Sequence, residues 1–119
     1  MTAGTANILI EQGAIFSQEY TYTDSGGTPI NLTGAKIAMQ IRQTAGDPVA
    51  QAEASTANGK IVLTNAAAGV FTVTLLPADT SAVTVSGVYD IEYSAGGDTT
   101  ATVRLLQGRA ILSREVTLV

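Results

Sequence analysis

The sequence predicts one all-β domain, built as a sandwich or a barrel of about eight short strands. Its 119 residues suit a single domain of ordinary size. Val, Ile and Thr are frequent, and their stiff, branched side chains favour a pleated sheet. Short stretches of alternating apolar and polar residues are separated by turns that draw on twelve Gly and three Pro. No stretch has a helical period long enough for a strand–helix–strand unit.

The first strand signal covers residues 7–12 and continues, after Gly13, over residues 14–23. A glycine inside a strand pattern is typical of a bulge or of a crossing between sheets. Residues 1–6 are small and polar, and we predict a flexible N-terminal arm there. An arm that orders only against a neighbouring subunit is the alternative. The folded domain is expected to span residues 7–119.

The clearest half-buried strand in the first half covers residues 35–43. Ile37, Met39 and Ile41 share one face there, and polar side chains occupy most of the other. A turn rich in Gly, Asp and Ser precedes this region at residues 24–29.

A weaker strand signal at residues 49–54 is followed by Asn58-Gly59 and a further strand at residues 60–64. Asn-Gly predicts a tight β-hairpin, because both central positions of its turn need a positive φ. We therefore expect these two strands to pair directly.

The second half contains four further strand signals, at residues 70–76, 87–94, 99–106 and 109–119. Between the first two, residues 77–82 begin with Pro and predict a single helical turn. A second candidate bulge lies at Gln107-Gly108. Shared parity within strands places the following residues in the core: Ile37, Met39, Ile41, Phe71, Val73, Leu75, Tyr89, Ile91 and Tyr93.

The composition excludes several classes of chemistry. The chain has no His and no Cys, which removes Ser-His-Asp catalysis, thiolate zinc sites, disulfides and iron–sulfur clusters. Six Lys and Arg against ten Asp and Glu do not suit nucleic-acid binding. No apolar run approaches the ~18 residues that a membrane span needs. We expect no cofactor, no nucleic-acid partner and no membrane partner.

Carboxylates are the remaining titratable groups with catalytic potential. Asp90 and Glu92 are two residues apart, so they share the outward face of one strand, and we interpret them as a solvated face. A pair aimed into a cleft is the alternative. Asp24, Asp47 and Asp98 lie in turns, where Asp commonly bonds the local backbone. A surface calcium ion shared by two turns is the alternative there.

The C-terminal region carries the candidate interface. Arg104, Arg109 and Arg114 recur every five residues, and arginine suits ion pairs and protein interfaces. The last strand has no Pro and ends on two apolar residues, so it resembles an unprotected edge. We therefore predict a homo-oligomer, or a stable contact with a partner, made by the N-terminal arm and this strand. The predicted interface residues are Arg109, Arg114, Leu118 and Val119.

Seven short blocks, in order along nearly the whole chain, carry a resemblance to a known family. The blocks are residues 10–16, 27–34, 38–42, 76–80, 87–92, 104–109 and 115–117. In these blocks the chain resembles the small immunoglobulin-like β-sandwich proteins of tailed bacteriophages, including the N-terminal domains of baseplate and tail-fibre-attaching proteins.

The resemblance implies an immunoglobulin-like antiparallel β-sandwich of about eight short strands with one helical turn near residues 77–82. It implies a non-enzymatic virion protein, made in the host bacterial cytoplasm, that contacts other virion proteins in the tail, baseplate or fibre attachment. A capsid decoration protein that staples the head shell is the first alternative. A carbohydrate-binding sandwich for host glycans is the second, although the parity of the four Tyr places them in the core or at its edge. Tyr89, after the helical turn, resembles a tyrosine corner.

Overall fold

The computed structural model describes residues 4–97 and 102–117, and it consists of two β-sheets packed face to face. The six-stranded sheet has the order β1–β9–β8–β4–β5, with β2 also paired to β9, and the three-stranded sheet has the order β3–β7–β6. The strands are β1 (Gly4–Thr5), β2 (Ile8–Glu11), β3 (Phe16–Thr21), β4 (Lys36–Arg42), β5 (Ala50–Ser55), β6 (Ile61–Asn65), β7 (Val70–Leu75), β8 (Gly87–Ser94) and β9 (Val103–Ser113). The predicted sandwich is confirmed.

Helical structure is brief. Helix α1 (Pro77–Ser81) confirms the predicted helical turn, and 3-10 turns occupy Ala66–Ala68 and Ala95–Gly97. Within the described ranges, no helix is long and apolar enough to cross a membrane.

The core lies between the sheets and follows the alternation of the strands. All predicted core residues are buried except Tyr93, which is half-buried. Leu32, Thr80 and Val83 are also fully buried, although they lie outside the strands. Strand parity could not find these three, because it applies only where the backbone is extended.

Strand pairing is antiparallel except at the N-terminus, where β1 and β2 run parallel to β9. This corrects the expectation of a wholly antiparallel sandwich. The chain then crosses to the other sheet between β2 and β3, at Gly13, whose φ is 80°. Of the two features that this glycine predicted, a bulge or a crossing, the structure shows the crossing.

The N-terminal arm and the last strand also differ from expectation. From Gly4 onward the predicted arm belongs to the sheet, since β1 pairs with β9 and the Ala6 N–H donates to the Gln107 carbonyl at 3.0 Å. Residues 1–3 lie outside the described residues. Strand β9 is not an open edge, because it lies between β8 and the N-terminal strands.

The predicted hairpin at Asn58-Gly59 is wrong, because β5 and β6 belong to different sheets. The segment crosses the sandwich instead: the Asn58 side-chain oxygen accepts the N–H groups of Ser55 at 2.9 Å and Lys60 at 3.0 Å. Gly59 alone takes the positive φ, at 78°. The chain therefore turns at Asn58-Gly59 as the local sequence predicts, but β5 and β6 lie in the two sheets on opposite sides of the core.

The irregularity in β9 falls at Leu105, not at Gln107-Gly108. The register with β8 shifts between Ile91, which pairs with Leu106, and Glu92, which pairs with Arg104. Gly108 pairs regularly with Tyr89. Its role is a close approach, since a Cβ there would clash with the Ala6 carbonyl.

Candidate functional site

The outward side chains of the six-stranded sheet form a concave surface with a cavity volume of about 600 Å³. Strands β1, β4, β8 and β9 supply its walls, so a continuous hydrogen-bonded sheet supports it. We call this surface the outer groove, and its polar lining consists of Thr5, Gln40, Arg42, Asp90, Glu92, Arg104, Gln107 and Arg109.

The outer groove is cationic in an acidic protein. Arg42, Arg104 and Arg109 line it, three of the six Lys and Arg in the chain, against two of the ten carboxylates, Asp90 and Glu92. The chain as a whole carries a net charge of -4. Three positive and two negative side chains give the groove lining a formal charge of +1, opposite in sign to the chain as a whole, which favours anionic partners.

Two of the arginines are held by neighbours. Arg104 forms an ion pair with Asp90, with 3.2 Å between Nε and Oδ2, and donates through Nη1 to Gln107 at 3.0 Å. Arg42 donates to the Asp47 carbonyl at 2.8 Å and to the Gln40 side-chain oxygen at 2.6 Å. Both acceptors of Arg42 are neutral, and Arg42 has no ion-pair partner among residues 4–97 and 102–117.

Arg109 is exposed and differs from both. Its backbone N–H donates to the Asn7 side-chain oxygen at 3.1 Å, which fixes the strand position. Its guanidinium makes no ion pair or hydrogen bond with any residue in 4–97 or 102–117. Two residues farther along β9, Ile111 pairs with Leu9 of β2. Ile111 is 39% exposed and Leu9 is 54% exposed.

Register places Arg42, Val88 and Arg109 in one row across β4, β8 and β9. We call this the arginine row. Adjacent strands lie about 4.8 Å apart, so the two arginine backbones are about 10 Å apart, with the half-buried Val88 between them. The arginine row places two positive charges at one end of the groove, and neither forms an ion pair with a carboxylate that the structure describes.

Tyr89 forms part of the groove floor and joins β8 to the N-terminal segment. Its hydroxyl donates to the Ala6 carbonyl at 2.6 Å. Burial, with a smaller contribution from nearby Tyr20, raises the pKa of Tyr89 to about 12, so the hydroxyl stays a hydrogen-bond donor well into alkaline solution. As in a tyrosine corner, the phenol bonds backbone, but its acceptor lies in the N-terminal segment.

The other predicted interface residues lie elsewhere. Arg114 is exposed and follows the end of β9, and it does not line the outer groove. Leu118 and Val119 lie outside the described residues. The structure thus brings Arg109 together with Arg42, Gln40 and other residues that the sequence did not single out. In the sequence, only their outward-facing positions on β4 and β9 marked these residues. That alternation became informative only when β8 was known to lie between the two strands.

The turn aspartates bond their own turns. Asp24 accepts the N–H groups of Gly26 at 2.9 Å and Thr28 at 3.0 Å. Asp47 accepts the N–H of Val49 at 3.0 Å, and Asp98 lies outside the described residues. Among the residues that the structure describes, no three carboxylates cluster as a metal site would require.

A second, smaller cavity of about 110 Å³ lies between the sheets and is lined mainly by aromatic and aliphatic side chains. Tyr20 stacks on Phe71 there with 5.4 Å between ring centroids, and the buried Tyr20 hydroxyl has no partner among the described residues. Tyr22 and Tyr93 pack together at 5.6 Å. The four tyrosines therefore lie in the core or at its edge, as predicted.

Comparisons with known proteins support the fold. No protein-family model and no curated protein matches the chain. A chicken TCR structure matches with a TM-score of 0.55 and 10% identity, over 92% of this chain and 48% of that one. The chain thus spans about half the length of that structure. The second Ig domain of the mouse polymeric immunoglobulin receptor matches with a TM-score of 0.49 and 12% identity, over 96% and 99% of the two chains. With its two packed sheets, the chain has an immunoglobulin-like β-sandwich fold.

Proposed function

We propose that this chain is a non-enzymatic structural component of a tailed-phage particle that binds a neighbouring virion protein through the outer groove. The single observation that carries the binding role is the arginine row, in which two arginines without an ion-pair partner in the described part of the chain lie on a hydrogen-bonded sheet beside exposed apolar side chains. The phage setting is supported by the seven sequence blocks. The tail, baseplate or fibre attachment is the proposed position.

A binding role suits the groove better than catalysis does. Asp90 and Glu92 project from the same face of β8, whereas a pair of catalytic carboxylates must approach a substrate from different sides. Asp90 is also paired with Arg104. The perturbed hydroxyl of Tyr89 is bound to the Ala6 carbonyl. These groups are arranged to hold a surface in place.

Two alternatives differ in what the groove would contact. A capsid decoration protein would use the same kind of surface on the head shell. A glycan-binding domain would need aromatic rings exposed in the groove, and the one tyrosine that lines it, Tyr89, is only 3% exposed. We therefore rank the glycan alternative last.

Particle fractionation tests the proposal. Antibodies against the recombinant chain are used on density-purified particles from the source bacterium, first in immunoblots and then with gold labels in electron microscopy. We expect the chain to copurify with infectious particles and the label to lie on the tail or its tip. Antibody pre-absorbed with the recombinant chain is the control.

Each other outcome has a defined meaning. Label over the head would replace the tail position by the decoration role. Absence of the chain from infectious particles would contradict the virion proposal. Saturable binding to a neutral glycan on an array would favour the carbohydrate alternative.

A further inference from the structure

We infer that the outer groove receives an extended acidic segment of a partner protein, with a carboxylate bound by Arg109 and an apolar side chain of the same segment packed on Leu9 and Ile111, which lie just outside the groove lining on β2 and β9. This inference rests on the proposed function, because it names the chemistry of the partner at that site. The partner is a protein segment. Arg109 binds its carboxylate, and Arg42, at the other end of the arginine row, adds a second attractive charge.

The charge argument begins with what each arginine already binds. Arg104 has its own carboxylate, Asp90, at 3.2 Å. Arg42 donates to two neutral oxygen atoms and forms no ion pair with a described carboxylate. The side chain of Arg109 has no partner in the described part of the chain. An arginine fork matches a carboxylate with two parallel hydrogen bonds, so Arg109 is the group free to form that pair.

The groove is polarised along β8, which selects where a carboxylate binds. Glu92 pairs in register with Arg104 at one end, and Val88 lies between Arg42 and Arg109 at the other. Asp90 and Glu92 repel an acid near their end. A ligand carboxylate is therefore directed to the arginine row, where Arg42 adds a second attractive charge.

The apolar neighbours of the arginine row favour a peptide as the ligand. Ile111 follows Arg109 by two residues on the same face of β9, and Leu9 lies beside it in β2. Two residues of an extended chain span about 6.6 Å, so a ligand with a carboxylate and an apolar side chain at that spacing contacts both features. A nucleic acid carries a negative charge on every nucleotide and offers flat bases in place of an aliphatic side chain, so it matches one arginine row beside Leu9 and Ile111 poorly.

Peptide titration followed by NMR of the isotope-labelled full chain tests the inference. The probe is the capped peptide Gly-Ser-Asp-Ser-Leu-Ser-Gly at millimolar concentration, a range suited to weak binding. We expect the largest shifts at the amides of Val88, Arg109 and Ile111. Probes with Asn for Asp, or with Ser for Leu, should each bind more weakly.

Arg109→Glu is the decisive variant and Lys36→Glu is its matched control. Both reverse one exposed charge on the outer face of the same sheet. Lys36 is six residues from Arg42 along β4, about 20 Å, which is beyond the screening length at physiological salt. We expect Arg109→Glu to lower peptide affinity by about tenfold or more and Lys36→Glu to change it by less than about twofold. The NMR spectra themselves report whether each variant is folded.

Four results would overturn the inference: no groove shifts at millimolar peptide, equal losses in the two variants, equal binding of the Asn probe, or preferential binding of a single-stranded oligonucleotide in the groove. Sedimentation of the full chain without peptide checks for a second copy, and self-association that Arg109→Glu abolishes would replace the partner segment by another copy of this chain. None of these results alters the particle fractionation, so the two proposals fail separately.

Discussion

The inner and outer faces of the six-stranded sheet are built on the same strands but carry different demands. On β4 and β8, Met39 and Ile91 are at most 1% exposed on the inner face, whereas Gln40 and Asp90 face outward into the groove. Burial of apolar area stabilises the inner face. The outer face forms side-chain contacts that are partly solvated, so its residues are free to serve binding. Substitutions on the two faces should therefore differ in their cost to stability.

The largest expected effect comes from Phe71→Ala, which empties part of the layer between the sheets. Phe71 is 2% exposed, and a large-to-small change in a core costs about 3–5 kcal/mol of unfolding free energy. Urea denaturation followed by circular dichroism measures it. Val62→Ala, on the outward face of the same small sheet and 53% exposed, is the control and should change stability by less than about 0.5 kcal/mol. A Phe71 loss below about 1 kcal/mol would contradict the assigned inner layer.

Gly108→Ala should have the next largest effect. The added methyl would clash with the Ala6 carbonyl, so the N-terminal segment must shift away from β9. Overpacking of this kind costs about 1–3 kcal/mol. Gly46→Ala is the matched control, because a Cβ there meets no atom within 4 Å. Thermal melts compare the two, and equal midpoints would disprove the close approach.

The hydroxyl of Tyr89 has a hydrogen-bond partner and that of Tyr20 has none among the described residues, so removing each should affect stability differently. Tyr89→Phe removes the hydrogen bond to Ala6 and should cost about 0.5–1.5 kcal/mol. Tyr20→Phe removes a buried hydroxyl with no partner in the described residues and should be neutral or stabilising. Urea titrations at neutral pH provide both values. The same loss in both variants would show that the Ala6 bond adds no stability.

The raised pKa of Tyr89 also predicts a pH dependence. Because the folded state holds the hydroxyl protonated, this contribution to stability is complete below the ordinary tyrosine pKa of 10.0 and is lost as pH rises toward about 12. The Tyr89→Phe variant should show a shallower alkaline loss than the wild type. Parallel slopes would assign the alkaline transition to other groups.

The ion pair between Lys60 and Asp79 should contribute less to the free energy of unfolding. The Lys60 Nζ and Asp79 Oδ1 atoms are 2.6 Å apart. The hydrogen bond from Lys60 lowers the pKa of Asp79, and the bond from the Leu76 N–H lowers it further, although burial acts in the opposite direction. The contribution is present above the ordinary pKa near 3.8 and is lost as pH falls through the lower folded value. Asp79→Asn should cost about 0.2–1 kcal/mol at pH 7, and the cost should vanish in acid. A cost that persists at pH 2 would mean that α1 packing changed instead.

The smallest effect is expected for Arg109→Glu. Its side chain has no partner within the described residues, so the unfolding free energy should change by less than about 0.5 kcal/mol. Urea denaturation beside the peptide titration tests this. A large destabilisation would show that the outer face also supports the fold, and it would remove the contrast between the two faces.

Much of the fold was readable from local pattern. The alternation of Ile37, Met39 and Ile41 identified both the strand and its buried face, because side chains in a strand point to opposite sides in turn. Pro77 located the helical turn, and Gly13 located a crossing between sheets. The missing His and Cys excluded whole classes of catalysis. Each of these conclusions depends on residue type and near neighbours alone.

The tertiary structure decided what depends on distant parts of the chain. Strands β1 and β2 cover β9 in a parallel arrangement, and Asn58-Gly59 joins two sheets where a hairpin was expected. The arginine row exists only because Arg42 and Arg109, which are 67 positions apart, align through Val88. Alternation states which way a side chain points, but it does not state which strand lies beside it. That choice is made by the burial of both sheets against one core, so the candidate site emerged only with the packing.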